Sequence, residues 1–395
     1  MTTVALLDHV VTPRPNGSDA LRRIASFIEE SLRDHGAAVT LEPFTATPHG
    51  FQVLFAVALL LAGGFALATV RRRDGLALLI ALTVATLLVV EAELLWSPLS
   101  GLLPVREHNV VGTYPGGLAG TTLVFSAHYD TATQFGDHVV WSRWAPAQAA
   151  AQVVMVAFPL LALWRRQRGR MIPRTPRVLV SIFVLVPFGA FAWFFSAGPT
   201  FQTPSPGALD NGGSVVVLLR LAERLSVRPA GAPTTVKLVF FACEEERALG
   251  SWEHAKRLAS QSGPAIAVIN LELMGGGDSL AYVADEGFAS RRYTSPPGLV
   301  AFVDEVSRLH RGEPVEGRSI PRVAVTDARS FLAHGIPALT LLPASGWPPH
   351  LHSGRDSRER LRLSALEAAV AFLEALVAHA DRDPAEFTRR VRERL

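Results

Sequence analysis

The chain has 395 residues, of which 49% are hydrophobic and only 18% charged, with a formal net charge of +3. That is length for two or three domains, but too apolar for an ordinary soluble protein, so part of the chain is expected in lipid. The small positive balance gives no reason to expect a nucleic-acid partner once its location is considered.

Ser18 is placed to cap a helix whose apolar face is Leu21, Ile24, Phe27, Ile28 and Leu32, and Gly36 to end it. An extended run follows at 38–41. Residues 51–70 and 75–96 are then two apolar tracts near the ~20 residues that cross a bilayer as helix. A second pair lies at 145–164 and 178–195, and Trp96, Trp141, Trp144 and Trp164 stand at tract ends, where aromatic belts form. The loop within each pair is basic, +2 over 71–74 and +6 over 165–177, which leaves −5 for everything else. Basic loops face the cytoplasm. The remaining segments are therefore expected on the extracytoplasmic side, in an integral, multi-pass membrane protein. Glu91 and Glu93 fall toward the outer end of the second span, where an interfacial position accounts for them. No cleavable signal peptide is visible in the first 20 residues, and the single Cys243 excludes an intramolecular disulfide.

Removing the two hairpins, 47–104 and 141–202, leaves a discontinuous domain of residues 1–46, 105–140 and 203–395. Strands are expected at 109–114, 123–127, 235–242, 266–271 and 338–342, with helices after Asp210 and near 252–258, 299–309 and 364–380. The alternation predicts an α/β fold with a mostly parallel sheet flanked by helices, plus four transmembrane helices in two hairpins.

Polar residues gather where the apolar strands end. His128 and Asp130 follow LVFSA, Glu244, Glu245 and Glu246 follow VFFAC, Glu272 follows INL, Asp210 precedes a helix, and His352 stands in HLHSGRDS. Singly, each fits a satisfied polar cap, and His128 with Asp130 fits either a hydrogen-bonded strand end or a metal ligand with its orienting carboxylate. Together, two imidazoles and three carboxylates suit a pair of divalent ions such as zinc, with one carboxylate bridging. Asp130 would accept the second ring N–H of His128.

These motifs resemble the M28 family of zinc aminopeptidases and carboxypeptidases: His128-Tyr-Asp130, Gly207-Ala-Leu-Asp210-Asn211, Glu244-Glu-Glu-Arg-Ala-Leu-Gly-Ser251, Asn270-Leu-Glu-Leu-Met-Gly275, Thr326-Asp-Ala-Arg-Ser-Phe331 and His352-Ser-Gly-Arg-Asp356. The resemblance implies that His128 and Glu272 bind one zinc, Glu245 and His352 the other, and that Asp210 bridges the two ions. It makes Glu244 the general base, with a peptide as substrate. Relatives can carry a cis peptide after the bridging aspartate, so Asp210-Asn211 is a candidate. Three departures stand out. Glu272 replaces the usual Asp, Arg247 replaces a common glycine, and Leu351 stands where some relatives have an oxyanion-stabilising tyrosine, leaving Tyr129 and Tyr293 as substitutes or packing residues. His254 is expected on a solvated helix face, while Asp327 and Asp356 are expected to cap helices or fix loops. Two alternatives remain: an enzyme like the glutaminyl cyclases, which resemble this family, and a receptor or assembly subunit without catalysis. Side-chain preference and oligomeric state are not legible.

Overall fold

The computed structural model describes residues 1–93, 99, 101, 103–117, 121–132, 138–196, 204–229, 231–260, 265–288, 291–320 and 324–392. The chain divides into two compact units, Met1–Ala46 with Val105–Ala132 and Ser205–Leu395, and Thr47–Pro104 with Thr133–Pro204.

The first unit is built on a nine-stranded sheet in the order β1-β2-β4-β3-β5-β9-β6-β7, with β8 paired to β6. In chain order the strands are β1 (Ala38–Ala46), β2 (Val105–Tyr114), β3 (Thr121–His128), β4 (Thr235–Phe241), β5 (Ala265–Leu271), β6 (Leu280–Phe288), β7 (Arg291–Thr294), β8 (Glu316–Ser319) and β9 (Ala338–Pro343). Strands β4, β3, β5 and β9 run parallel. The flanks do not: β1 with β2, β2 with β4, β6 with β9 and β6 with β7 are antiparallel. The sheet is thus mixed, not mostly parallel as expected. Connection length explains the difference. Only six residues join β2 to β3 and eight join β5 to β6, each link passing one intervening strand; both are too short to run back along the sheet as a parallel crossover does, so the chain reverses direction.

Helices cover the sheet: α1 (Thr3–Val10), α2 (Asp19–Asp34), then, beyond the helical unit, α7 (Gly213–Leu225), α8 (Leu249–Ala259), α9 (Pro297–Arg311), α10 (Asp327–Ala333), α11 (Leu363–Arg382) and α12 (Pro384–Arg392). Ser18 Oγ accepts the Leu21 N–H at 3.1 Å, and Gly36 follows with φ +80°. Leu21, Ile24, Ile28 and Leu32 of α2 pack into the main core with Val215 to Leu219 of α7 and Phe372, Leu373 and Leu376 of α11. β3 is buried along its whole length, as a central strand covered on both faces must be. His254 departs from the expectation: it is 1% exposed, its Nδ1 lies 2.7 Å from Glu42 Oε2, and its ring packs near Phe241 and Phe331. Glu42 on β1 supplies the partner, so a polar residue in an amphipathic pattern is drawn inward by an acid that lies far away in sequence.

The second unit holds α3 (Gly50–Val70), α4 (Asp74–Leu88), α5 (His138–Gln167) and α6 (Arg174–Ser196). Among the described residues five helices are long and apolar enough to cross a membrane, four of them here (Gly50–Val70, Asp74–Glu91, Arg143–Gln167 and Arg174–Phe195), and the fifth is α11, whose apolar face lies in the sheet's core. The four have a small-residue and aromatic interior, including Ala58, Ala62, Phe65, Ala81 and Phe188. Their outside is apolar too: Leu60, Leu79, Val153 and Leu179 are 61 to 76% exposed. The two basic loops are tied at their ends. Arg177 Nη1 and Nη2 lie 2.5 and 3.1 Å from the two oxygens of Asp74, and Nη1 also donates to Thr69 O. Glu91 is fully buried and accepts the Leu99 N–H at 2.6 Å. Trp96 and the side chains of Glu93 and Trp141 lie outside the described residues.

Candidate metal centre

Three parallel strands deliver the site. Ser126 on β3 is in register with Asn270 on β5, so His128 and Glu272, each two residues further on, leave the sheet at the same level. His128 also pairs with Phe241 on β4; three and four residues beyond stand Glu244 and Glu245. Asp210 comes from the wide turn Ala208–Gly212 that starts α7, and its peptide bond to Asn211 is cis. His352 comes from the loop after β9.

The structure brings all five expected ligands together. His128 Nε2 lies 3.1 Å from Asp210 Oδ1 and 3.6 Å from Glu272 Oε2. His352 Nε2 lies 3.0 Å from Asp210 Oδ2 and 3.2 Å from Glu245 Oε2. Asp210 therefore turns one oxygen to each imidazole. Two trios result, His128-Asp210-Glu272 and Asp210-Glu245-His352.

These separations test whether a metal suits the site. With zinc bonds of about 2.0–2.2 Å, the edges of a tetrahedron of ligands are about 3.3–3.6 Å, and the four distances fall at or a little below that value. The charge balance points the same way. Asp130, Asp210, Glu244, Glu245, Glu272 and Asp327 are all buried or nearly so, and so many clustered carboxylates need cations. Without one, burial and like charges hold Glu244 and Glu245 well above the usual carboxylate range, raise Glu272, and push Asp327 to about 8. Burial would likewise lower His128, yet Glu244, Glu272 and the carboxylates of Asp130 and Asp210 hold it well above its ordinary value. Asp210, although buried, is held low by its two imidazoles. The nitrogen and oxygen donor set is one that zinc accepts.

Glu244 sits apart from both trios, its Oε2 3.9 Å from His128 Nε2. Asp130 Oδ1 is 3.4 Å from His128 Nδ1, a long approach. Its firmer partners are the N–H groups of Glu244 and Glu245, at 3.2 and 3.3 Å, and Asn16 Nδ2 at 2.8 Å. Asp130 thus holds the turn that aims the two glutamates. Asp356 fixes a loop as expected, accepting the N–H groups of Leu209 and Asp210 at 2.8 and 3.0 Å, and burial beside Asp210 raises it to about 6. Asp327 opens α10, behind a Thr326 cap. Tyr129 is buried with its hydroxyl committed to His108 O at 2.7 Å, and Tyr293 packs beneath Arg291 on β7.

Several supporting residues carry no warning in the sequence. Asn16 joins Asp130 to the Cys243 N–H, which it accepts at 3.0 Å. Arg14 is fully buried and donates to five carbonyls, of Tyr129, Val10, Thr12, Pro206 and Gly207, while burial lowers its pKa to about 10 against the pull of four acids. Asn211 and Asn270 hold Glu272. For Arg14 and Asn16 the cue is the polar, turn-rich Arg14-Pro-Asn-Gly-Ser18 between two helices, and for Asn211 and Asn270 it is their place in the motifs of Asp210 and Glu272.

Comparison with known proteins gives this geometry a context. Residues 193–377 match the model of Peptidase family M28. That segment carries four of the five expected ligands, all but His128, and Glu244. Among solved structures, a Zn-dependent exopeptidase from Parabacteroides distasonis is similar at TM-score 0.55 and 14% identity, covering 95% of this chain and 96% of that one. An aminopeptidase from Aneurinibacillus sp. strain AM-1 gives 0.53 and 14%, covering 96% and 92%. Glutaminyl cyclase from Porphyromonas gingivalis gives 0.56 and 16%, covering 95% and 96%. At these identities the likeness shows a shared fold, the mixed α/β architecture of zinc aminopeptidases. No match was found among the curated proteins.

Proposed function

We propose that the chain is a membrane-anchored, zinc-dependent exopeptidase that releases residues from the N-terminus of peptides. One observation carries the reading: the two oxygens of Asp210 each lie within 3.1 Å of a different imidazole, with Glu272 on one side and Glu245 on the other. His128 and Glu272 would hold one ion, Glu245 and His352 a second, and Asp210 both. Bound there, zinc supplies a Lewis acid for the scissile carbonyl and a water of lowered pKa. The protein's own part is proton transfer and alignment. Glu244, outside both trios, takes the proton of the attacking water on its carboxylate and returns it to the leaving amine. Asp130 keeps Glu244 and Glu245 on their separate headings through their backbone N–H groups, and burial of the site excludes bulk water.

Four helices of 18 to 25 residues with apolar outer surfaces support the anchor. The exposed arginines at 71–73, 166, 168, 170 and 174 favour the cytoplasmic side for both short loops, which leaves 1–46, 105–140 and 203–395, as the peptidase domain, extracytoplasmic. Peptides blocked at one end test the activity: N-acetylated substrates should resist while C-terminally amidated ones are cleaved. Release of C-terminal residues instead, or pyroglutamate formed from N-terminal Gln without free amino acids, would replace the aminopeptidase assignment.

A further inference from the structure

Glu272 carries one methylene and one rotatable bond more than aspartate would, so its carboxylate needs more support to hold a single position. Two amides give that support. Asn211 Nδ2 donates to Oε2 at 2.9 Å, and Asn270 Nδ2 donates to Oε1 at 3.1 Å. Asn211 is fixed locally, donating to Leu271 O and accepting from Leu273 N–H. Asn270 is fixed by a longer route.

Its Oδ1 accepts the Ser126 hydroxyl at 2.9 Å, which turns Nδ2 toward Glu272 and toward Thr340 Oγ1 at 3.4 Å. Asn270 and Thr340 are register partners on β5 and β9. Thr340 Oγ1 lies 2.6 Å from Thr326 Oγ1, and Thr326 Oγ1 lies 3.1 and 2.9 Å from the two oxygens of Glu286, which also accepts the Thr326 N–H at 2.7 Å. Every one of these side chains is buried. The chain has one direction. An amide N–H only donates and each hydroxyl has one proton, so, with Glu286 ionised and taking the Thr326 proton, Thr340 accepts from Asn270 and donates to Thr326. Thr326 in turn donates to Glu286.

We propose that Glu286, acting through Thr326 and Thr340, is a positioning residue for Glu272. Its carboxylate ends the chain as an acceptor and so sets both hydroxyls, which keeps the Asn270 amide turned onto Glu272. The residue that departs from the family pattern thereby presents Oε2 toward His128 and Asp210. This inference rests on the two-ion reading above.

Zinc binding to the metal-stripped full chain, measured against a competing chelator, tests it. Thr340→Val keeps the shape and removes the relay, and loss of such an outer partner typically costs ~10- to 100-fold in metal affinity. One of the two zinc ions should weaken by that factor while the other is unchanged, and Thr340→Ser should restore both. Ser126→Ala, which frees the other end of Asn270, should weaken the same ion, and serves if the valine variant does not fold. Wild-type affinities in Thr340→Val, or in Ser126→Ala should it be needed, would overturn the inference, as would failure of Thr340→Ser to recover. A wild-type chain that binds no zinc would instead overturn the reading beneath it, and the inference with it.

Discussion

Glu244 and Glu245 are neighbours in sequence with unlike surroundings. Glu245 Oε2 approaches His352 Nε2 to 3.2 Å, as a co-ligand would, whereas Glu244 Oε2 stays 3.9 Å from His128 Nε2 and joins neither trio. Glu244→Gln is nearly isosteric and cannot serve as a base near neutral pH. It should keep its zinc and lose ~10²- to 10⁴-fold in kcat, the usual worth of general acid–base help. Glu245→Gln should lower zinc affinity instead, with turnover partly recovered by added metal. Metal analysis and turnover on both variants separate the roles. Normal turnover in Glu244→Gln, or a defect cured by zinc, would remove it as the base. Glu272 shows what a single residue type leaves open: two asparagines, two threonines, a serine and a buried acid stand behind the glutamate, and none of that is written at position 272.

At the scale of elements, the N-terminal segment is more than a leader to the sheet. Between α1 and α2, Arg14 and Asn16 bind the loop after β3, the turn before α7 and the strand end that carries Glu244. Asn16→Leu leaves the buried Cys243 N–H without its acceptor, at about 1–3 kcal/mol, and takes from Asp130 Oδ2 one of its two donors. Zinc affinity should fall ~10- to 100-fold, while Asp8→Ala on exposed α1 surface leaves it unchanged. Equal zinc affinity in Asn16→Leu and wild type would reduce the segment to packing. This is also where the sequence was least legible. The apolar faces of α2, α7, α9 and α11 and the continuous runs of β3, β4 and β5 announce themselves, and His128, Glu245 and Glu272 stand out because each ends such a run, whereas Asp210 and His352 lie in a turn and a loop. Strand β8, Glu316–Ser319, is exposed throughout and has no apolar pattern, and the apolar start of β6 is broken by Asp285-Glu286-Gly287 before its last residue. Single amides such as Asn16 and Asn270 have no periodicity at all, and only the folded chain shows what they join.

For the whole molecule, the apolar helices and the basic loops make a joint claim about placement. Reporters in the loops at 71–74 and 165–177 should read cytoplasmic and a C-terminal tag extracytoplasmic. A tag shielded from external reagents in intact cells, with both loops accessible, would put the site in the cytosol. The central claim is narrower: a pair of ions shared by Asp210 makes this chain a peptidase. Titrating zinc into metal-stripped, detergent-solubilised protein, while following release of N-terminal residues, tests it most directly. The account predicts no hydrolysis in the stripped protein and full activity as zinc approaches two equivalents per chain. Hydrolysis that survives complete removal of metal, or a chain that binds fewer than one zinc and releases nothing, would contradict it.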